Sequence, residues 1–309
     1  MQELSTEIAK VIGQPIDSSL PIPFPLNLIA DLDTAEAGED VYVWTAFDDN
    51  VDTVYTAGSN GALVSVQKSS VGATLLTFVG LQTKLDYVTI HDVINAKDQS
   101  ALARKKAAIS RAMDKEEVIR IVTAIQALST QEVLVGSGVD IYDAIMALKH
   151  KIEDYGDGFV LLVGSTLSEK IDTYDKDNAS NFQYNVTLLK QLEAMGITKV
   201  KLPADCRIKL DSGSYVPVLA AGSAIMVATQ SNLKGGKPIL HVRRKFNAEM
   251  VAYMGLSPEE NATRLVSVAQ TPIPVNGGNN ILGYGVFGYE GIIEAIVNYK
   301  AISWANSIV

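Results

Sequence analysis

A glycine string, Gly283-Tyr284-Gly285-Val286-Phe287-Gly288, is the stretch of this chain that most nearly spells a known chemistry. A G-x-G-x-x-G run cradles a dinucleotide pyrophosphate when it joins a strand to a helix and an acidic residue follows about 20 positions on. Too little chain follows Gly288 before Val309 to finish that unit, so a glycine-rich strand turn is the better reading. Asp48-Asp49-Asn50-Val51-Asp52 imitates the start of a calcium loop, but Thr53 stands where the turn glycine belongs and Ser59 where the bidentate glutamate belongs. It reads as a surface turn, with a weak calcium contact left open. Lys234-Gly235-Gly236-Lys237-Pro238 lacks the glycine spacing and the hydroxyl of a phosphate loop and reads as a turn between strands.

Nucleophiles and metal ligands are equally sparse. Cys206, between Asp205 and Arg207, has no histidine close in sequence and reads as a structural thiol. His91, His150 and His241 are too scattered for zinc-ligand spacing, and the pairs Asp175/Asp177 and Glu259/Glu260 lie in polar stretches where solvation is the default. No catalytic, metal or cofactor-binding residue is assigned, no cofactor is expected, and the chain reads as a non-enzyme. One charged group stands out: Arg104, Lys105, Lys106 and Arg111 lie on a helix-patterned segment of an otherwise acidic chain, either as a solvated face or as a face that meets nucleic-acid phosphate.

Composition bounds the remaining classes. The chain has 309 residues, 47% of them hydrophobic, enough to bury a substantial core in one large or two modest domains. Its 26 basic and 35 acidic residues give a net charge of -9, against the basic surplus of a dedicated nucleic-acid binder. A single cysteine excludes an intrachain disulfide and suits a reducing compartment. The first residues carry Glu3, Glu7 and Lys10 without a basic start and apolar run, so no secretory signal is expected. No uncharged apolar stretch reaches about 18 residues, so the expectation is a soluble protein made in a cytoplasm, with no membrane partner.

The elements follow from periodicity. Pro15, Pro21, Pro23 and Pro25 make the first segment an extended arm. From Val41 to Val79, β-branched and aromatic runs read as a long hairpin whose tip holds Gly58, Asn60 and Gly61; such a ribbon has little core of its own and should pack on another molecule. Asp98 opens a helical pattern through Met113, and Asp114 opens a stronger one with Glu117 at a capping-box position and Val118, Ile121, Val122, Ile125 and Leu128 on one face. The two either run on as one helix or bend at Asp114. A helix from Asp140, a buried strand over Phe159 to Val163, helices from Thr166 and over Tyr184 to Met195, and strands near 198–202, 216–228 and 238–246 give a mixed α/β region. The remainder is strand-rich, with Gly277-Gly278 as a turn.

This order of segments resembles the tailed-bacteriophage major capsid family, with its Hong Kong 97-type α+β fold. Local strings are similar too: Lys84-Leu85-Asp86-Tyr87-Val88-Thr89-Ile90-His91-Asp92, Asp140-Ile141-Tyr142-Asp143-Ala144-Ile145, Phe159-Val160-Leu161-Leu162-Val163-Gly164, Gly236-Lys237-Pro238-Ile239-Leu240 and the run Leu282 to Glu290. The resemblance implies an N-terminal arm over 1–45, an extended E-loop hairpin over 46–80, a peripheral (P) domain with a long spine helix over 81–139, an axial (A) domain over 140–280 and returning P-domain strands over 281–309. It implies pentamers and hexamers closing into an icosahedral virion shell around double-stranded DNA, made in a bacterial cytoplasm, with a portal and a separate scaffolding protein as partners and room for a decoration protein. Arm and hairpin then become contacts between subunits: Pro21, Pro23, Pro25, Gly58, Asn60, Gly61 and Lys68, the one lysine of the hairpin. Arg104, Lys105, Lys106 and Arg111 become residues that face DNA. The same fold serves as an encapsulin-type compartment shell, which is the runner-up. An α/β enzyme built on 140–280 and a tail or baseplate protein are the readings from other classes.

Overall fold

The structure is a computed structural model and describes residues 24–47, 71–83, 86–89, 101–136, 138–177, 187–231, 236–247, 249, 251, 263–274 and 280–309. After a short turn at Leu26–Leu28, strand β1 (Ala30–Ala35) leads into a ribbon of β2 (Val41–Phe47) and β3 (Val71–Thr77), antiparallel with Val43 opposite Leu75. The expected hairpin is therefore present at its base, while its tip lies outside the described residues. Strands β4 (Val79–Gln82) and β5 (Asp86–Thr89) precede the long helix α1 (Ala101–Gln126).

Helix α1 runs on through Asp114 as one element of 26 residues, so Asp114 starts nothing and Glu117 is not part of a capping box. A capping box needs free backbone N–H groups at a helix start, and the middle of a helix has none to offer. The stripe Val118, Ile121, Val122 and Ile125 is buried as its spacing requires. Leu128 lies just beyond the helix, where its carbonyl accepts a hydrogen bond from Trp304 Nε1 at 3.0 Å.

Helix α2 (Ile141–Ile152) is capped by Asp140, whose carboxylate accepts from the Tyr142 N–H at 2.8 Å. Strand β6 (Gly156–Val163), helix α3 (Ser165–Asp177) and helix α4 (Leu188–Ala194) follow, and Thr187 caps α4 through Lys190 N–H. Gly196, at φ +74°, turns the chain out of α4 into β7 (Ile197–Lys201). A small hairpin of β8 (Arg207–Lys209) and β9 (Tyr215–Pro217) leads to β10 (Ala224–Ser231), then β11 (Ile239–Arg244), β12 (Arg264–Pro274), β13 (Asn280–Ile296) and β14 (Ile302–Ala305). The strand expected over 216–228 is thus two strands, parted by a turn in which Ser223 N–H donates to the Ala220 carbonyl.

Besides the β2–β3 ribbon and the β8–β9 hairpin, two larger sheets carry the other strands. In the four-stranded sheet, order β14-β10-β6-β7, both faces are covered, which explains its unbroken apolar runs. Val160, Leu162, Ile225 and Val227 pack toward α1, while Leu161, Val163 and Met226 pack under α2, α3 and α4 with Ile145, Leu148, Leu167 and Leu192. The six-stranded sheet is organised on β13: Glu290 pairs with Arg264 of β12 on one edge and Leu81 of β4 on the other, and Ile292 pairs with Arg243 of β11 and Val79 of β4. One face of this sheet meets α1. The other meets the ribbon, through Leu240, Val242 and Ile293 against Tyr42, Trp44, Leu76 and Phe78.

Sheet membership runs across the segments read from the sequence. Residues 239–244 and 264–274 lie in the six-stranded sheet, and 302–305 complete the four-stranded sheet. The glycine string lies inside β13, not at a turn. A Cβ on Gly288 would sit 2.5 Å from Met113 Sδ and 2.8 Å from Ile109 Cγ2, so glycine there lets α1 rest directly on the strand.

Candidate functional site

Two features set this chain apart from an ordinary core: a buried charge cluster beneath α1 and an uncovered face on the β2–β3 ribbon. Strand alternation builds the first. On β13, Glu290, Ile292, Glu294 and Ile296 share one face and Ile293 and Ala295 the other; on β11, His241 and Arg243 stand beside them. Arg264 opens β12 opposite Glu290. Its guanidinium donates from Nε to Glu290 Oε2 at 2.6 Å, from Nη1 to Asp114 Oδ1 at 2.6 Å and to Ser110, and from Nη2 to Glu117 Oε1 at 3.2 Å. Arg243 grips Glu117 with two bonds, 2.9 and 2.6 Å, and Arg120 Nε donates to Glu294 Oε2 at 2.8 Å. His241 lies between Glu117 (3.4 Å) and Glu294 (4.0 Å).

Burial and partners split the acid strengths. Burial pushes Glu117 up, but His241 and Arg243 outweigh it and bring the carboxyl down to about 2. Glu294 goes the other way: burial raises it to about 7, only partly opposed by Arg120 and reinforced by the negative charges of Glu117 and Glu116. Glu290 is also raised, by burial first, against the pull of Arg264. The cluster ties helix to sheet and offers no reactive group to solvent. Cys206 is likewise sealed, its thiol pushed up to about 11 by burial and by Asp205. Among the described residues, no three His, Cys, Asp or Glu side chains are grouped to hold a metal ion, and no helix is long and apolar enough to cross a membrane.

The second feature is the outward face of the ribbon. Tyr42, Trp44 and Leu76 turn inward to the sheet, which leaves Val41, Val43 (56% exposed) and Leu75 (70% exposed) on the opposite face with nothing over them among the described residues. A two-stranded ribbon with apolar residues on both faces is thus half covered by the described residues.

The positions singled out from the sequence fare unevenly. Pro21, Pro23, Gly58, Asn60, Gly61, Lys68 and His91 lie outside the described residues. Pro25 is exposed, at the N-cap of the first turn. The basic group does not form one face: Arg104 is exposed, but Lys106, two positions on and so on the far side of the helix, is 7% exposed. Arg111 shares Asp205 with Lys115, at 3.3 and 2.5 Å, which ties α1 to the loop before β8. The charge cluster itself was missed. Its sequence signal is faint: carboxylates at 290 and 294 within the apolar run of β13, and a His-x-Arg alternation in β11.

No family model matches the sequence, and no curated protein is similar to it. Solved structures do match, almost end to end. A structure described as Mycobacterium phage Adephagia superposes with a TM-score of 0.58 at 11% identity, covering 98% of this chain and 97% of that one. The capsid structure of the cyanophage P-SCSP1u gives 0.53 at 9% identity, over 96% and 91%. A virus-like particle from Pyrococcus furiosus gives 0.50 at 13% identity, over 99% and 98%. Identities this low establish architecture, and on that ground this chain has the fold of the tailed-phage major capsid proteins.

Proposed function

We propose that this chain is the major capsid protein of a tailed phage, a structural subunit that assembles with copies of itself into pentamers and hexamers of an icosahedral head around double-stranded DNA. The observation that carries the reading is the near-complete overlap with phage capsid structures, which leaves no region of the chain to be explained by another architecture. The half-covered ribbon supplies the physical motive. Burying Val41, Val43 and Leu75 against a neighbouring subunit removes apolar surface from water, at about 25 cal/mol per Å2. In this reading β2–β3 is the base of the E-loop, α1 the spine helix of the P-domain and the four-stranded sheet the A-domain. A scaffolding protein, a portal, a decoration protein and packaged DNA are its proposed partners, with synthesis in the host cytoplasm and residence in the virion.

A second reading, an encapsulin-type compartment shell, is favoured by the match to the Pyrococcus furiosus particle. Negative-stain electron microscopy of the purified chain, with and without co-expressed phage proteins, tests both. Closed shells, tubes or five- and six-membered rings are expected. Leu75→Asp should leave the subunit folded, because the side chain touches no core, and should abolish those assemblies. A chain that stays monomeric under all these conditions overturns the capsid reading; shells that form only around a co-purifying enzyme transfer it to the compartment.

A further inference from the structure

Among the described residues, the carboxylates and guanidiniums under α1 do not balance. Asp114 and Glu117 from the helix and Glu290 and Glu294 from β13 are four carboxylates; Arg120, Arg243 and Arg264 are three guanidiniums; five of the seven form one ion-pair network, and His241, between Glu117 and Glu294, links it to the Arg120–Glu294 pair. Glu117, Glu290 and Glu294 are 1%, 0% and 8% exposed, so counterions from solvent do not reach them. Counted without His241, these seven side chains therefore carry one more negative than positive charge in a low-dielectric interior. Buried atoms without a hydrogen-bond partner among the described residues are present there: Glu290 Oε1, Glu294 Oε1 and both ring nitrogens of His241, of which either carboxyl oxygen can take a proton. Glu294 faces Arg120, Glu117 and Glu116 from α1 and His241 across the strand pair from β11, so one guanidinium and one imidazole are set against two further carboxylates.

We propose that this cluster holds one exchangeable proton, and that binding this proton tightens the seat of α1 on the six-stranded sheet. The device is a clasp that closes on mild acidification and loosens in alkali.

The sign follows from the acid strengths. Glu294 sits near 7 in the folded chain, above the ordinary carboxylate value, so its contribution is complete below about pH 4.5 and is lost as pH rises through about 7. Glu290 is shifted in the same direction. Glu117, near 2, contributes the opposite way, and its part is lost only as the pH falls below about 4.5. Between pH 5.5 and 8.5 the protonation of the cluster therefore dominates.

Hydrogen exchange of the α1 amides, corrected for the intrinsic pH dependence of exchange and read at constant assembly state, tests this. In the unaltered chain, protection should rise at least tenfold from pH 8.5 to 5.5, with a ceiling of about 30-fold over that range set by carboxyl values of 7 and 4.5. Glu294→Gln, which fixes the neutral form, should be protected at pH 8.5 as the unaltered chain is at 5.5, and flat between. His241→Asn separates the two seats: loss of the pH response in either variant supports the shared proton. Protection in the unaltered chain that is flat, or that falls on acidification, overturns the proposal whether or not the variants fold. So does a response that persists unchanged in both variants.

Discussion

Replacing Arg264 by alanine exposes how the helix is held. The side chain is 11% exposed and bonds Glu290, Asp114, Glu117 and the Ser110 carbonyl. Glu117 keeps its two bonds to Arg243, and Asp114 is open enough to recover water, so the group left stranded is Glu290, fully buried on β13. Removing one partner of such a pair costs about 3–5 kcal/mol, because an uncompensated charge remains in the interior. The stranded carboxyl escapes by taking a proton, so the deficit should shrink as pH falls, by about 1.4 kcal/mol for each pH unit over which it is protonated. Guanidinium unfolding of the unassembled subunit, followed by tryptophan fluorescence, reads the loss, since Trp304 packs in the core between α1 and the four-stranded sheet. Adding Glu290→Gln removes the stranded charge and should recover about half of the loss or more. A loss under about 1 kcal/mol, or a double variant no more stable than the single one, would show that the cluster does not hold the helix.

Other expectations follow from single contacts. Gly288→Val drives its side chain into Met113 and Ile109, so α1 must lift from β13; overpacking of this kind costs about 1–3 kcal/mol by the same unfolding measurement, and an unchanged midpoint would mean that the helix yields freely. Asp140→Ala removes both the cap of α2 and the bonds from Tyr174 Oη at 2.8 and 2.9 Å, for a loss of about 1–2 kcal/mol, while Asp140→Asn should keep most of the cap. Cys206 should resist a thiol-specific maleimide in the folded chain at pH 8 and react fully in denaturant; rapid native labelling would contradict its burial and raised thiol.

Much of the scaffold is local and could be read locally. The helix start at Asp140, the apolar run Phe159 to Val163 and the stripe Val118, Ile121, Val122 and Ile125 each occupy one short window, and the structure caps the first and buries the other two. Gly196 ended α4 because a left-handed residue stops a helix wherever the helix packs. The reading failed where meaning lay in a distant partner. The Asp114/Glu117 spacing looks the same at a helix start and in mid-helix, and only residues 126 to 174 positions away convert Glu117 and Arg120 into anchors. His241 looked isolated for the same reason: its neighbours come from α1 and β13, not from its own stretch of chain. The basic group split because helical geometry sends Lys106 inward, a fact that depends on which face the sheet covers. Sequence by itself thus determined the type of each element and the faces that must be dry, since both depend on neighbours within a few residues. Only the tertiary structure decided which strands share a sheet, that Gly288 is a seat for a helix, and that four carboxylates would meet three guanidiniums, because each of these is a choice of long-range partner that no local period encodes.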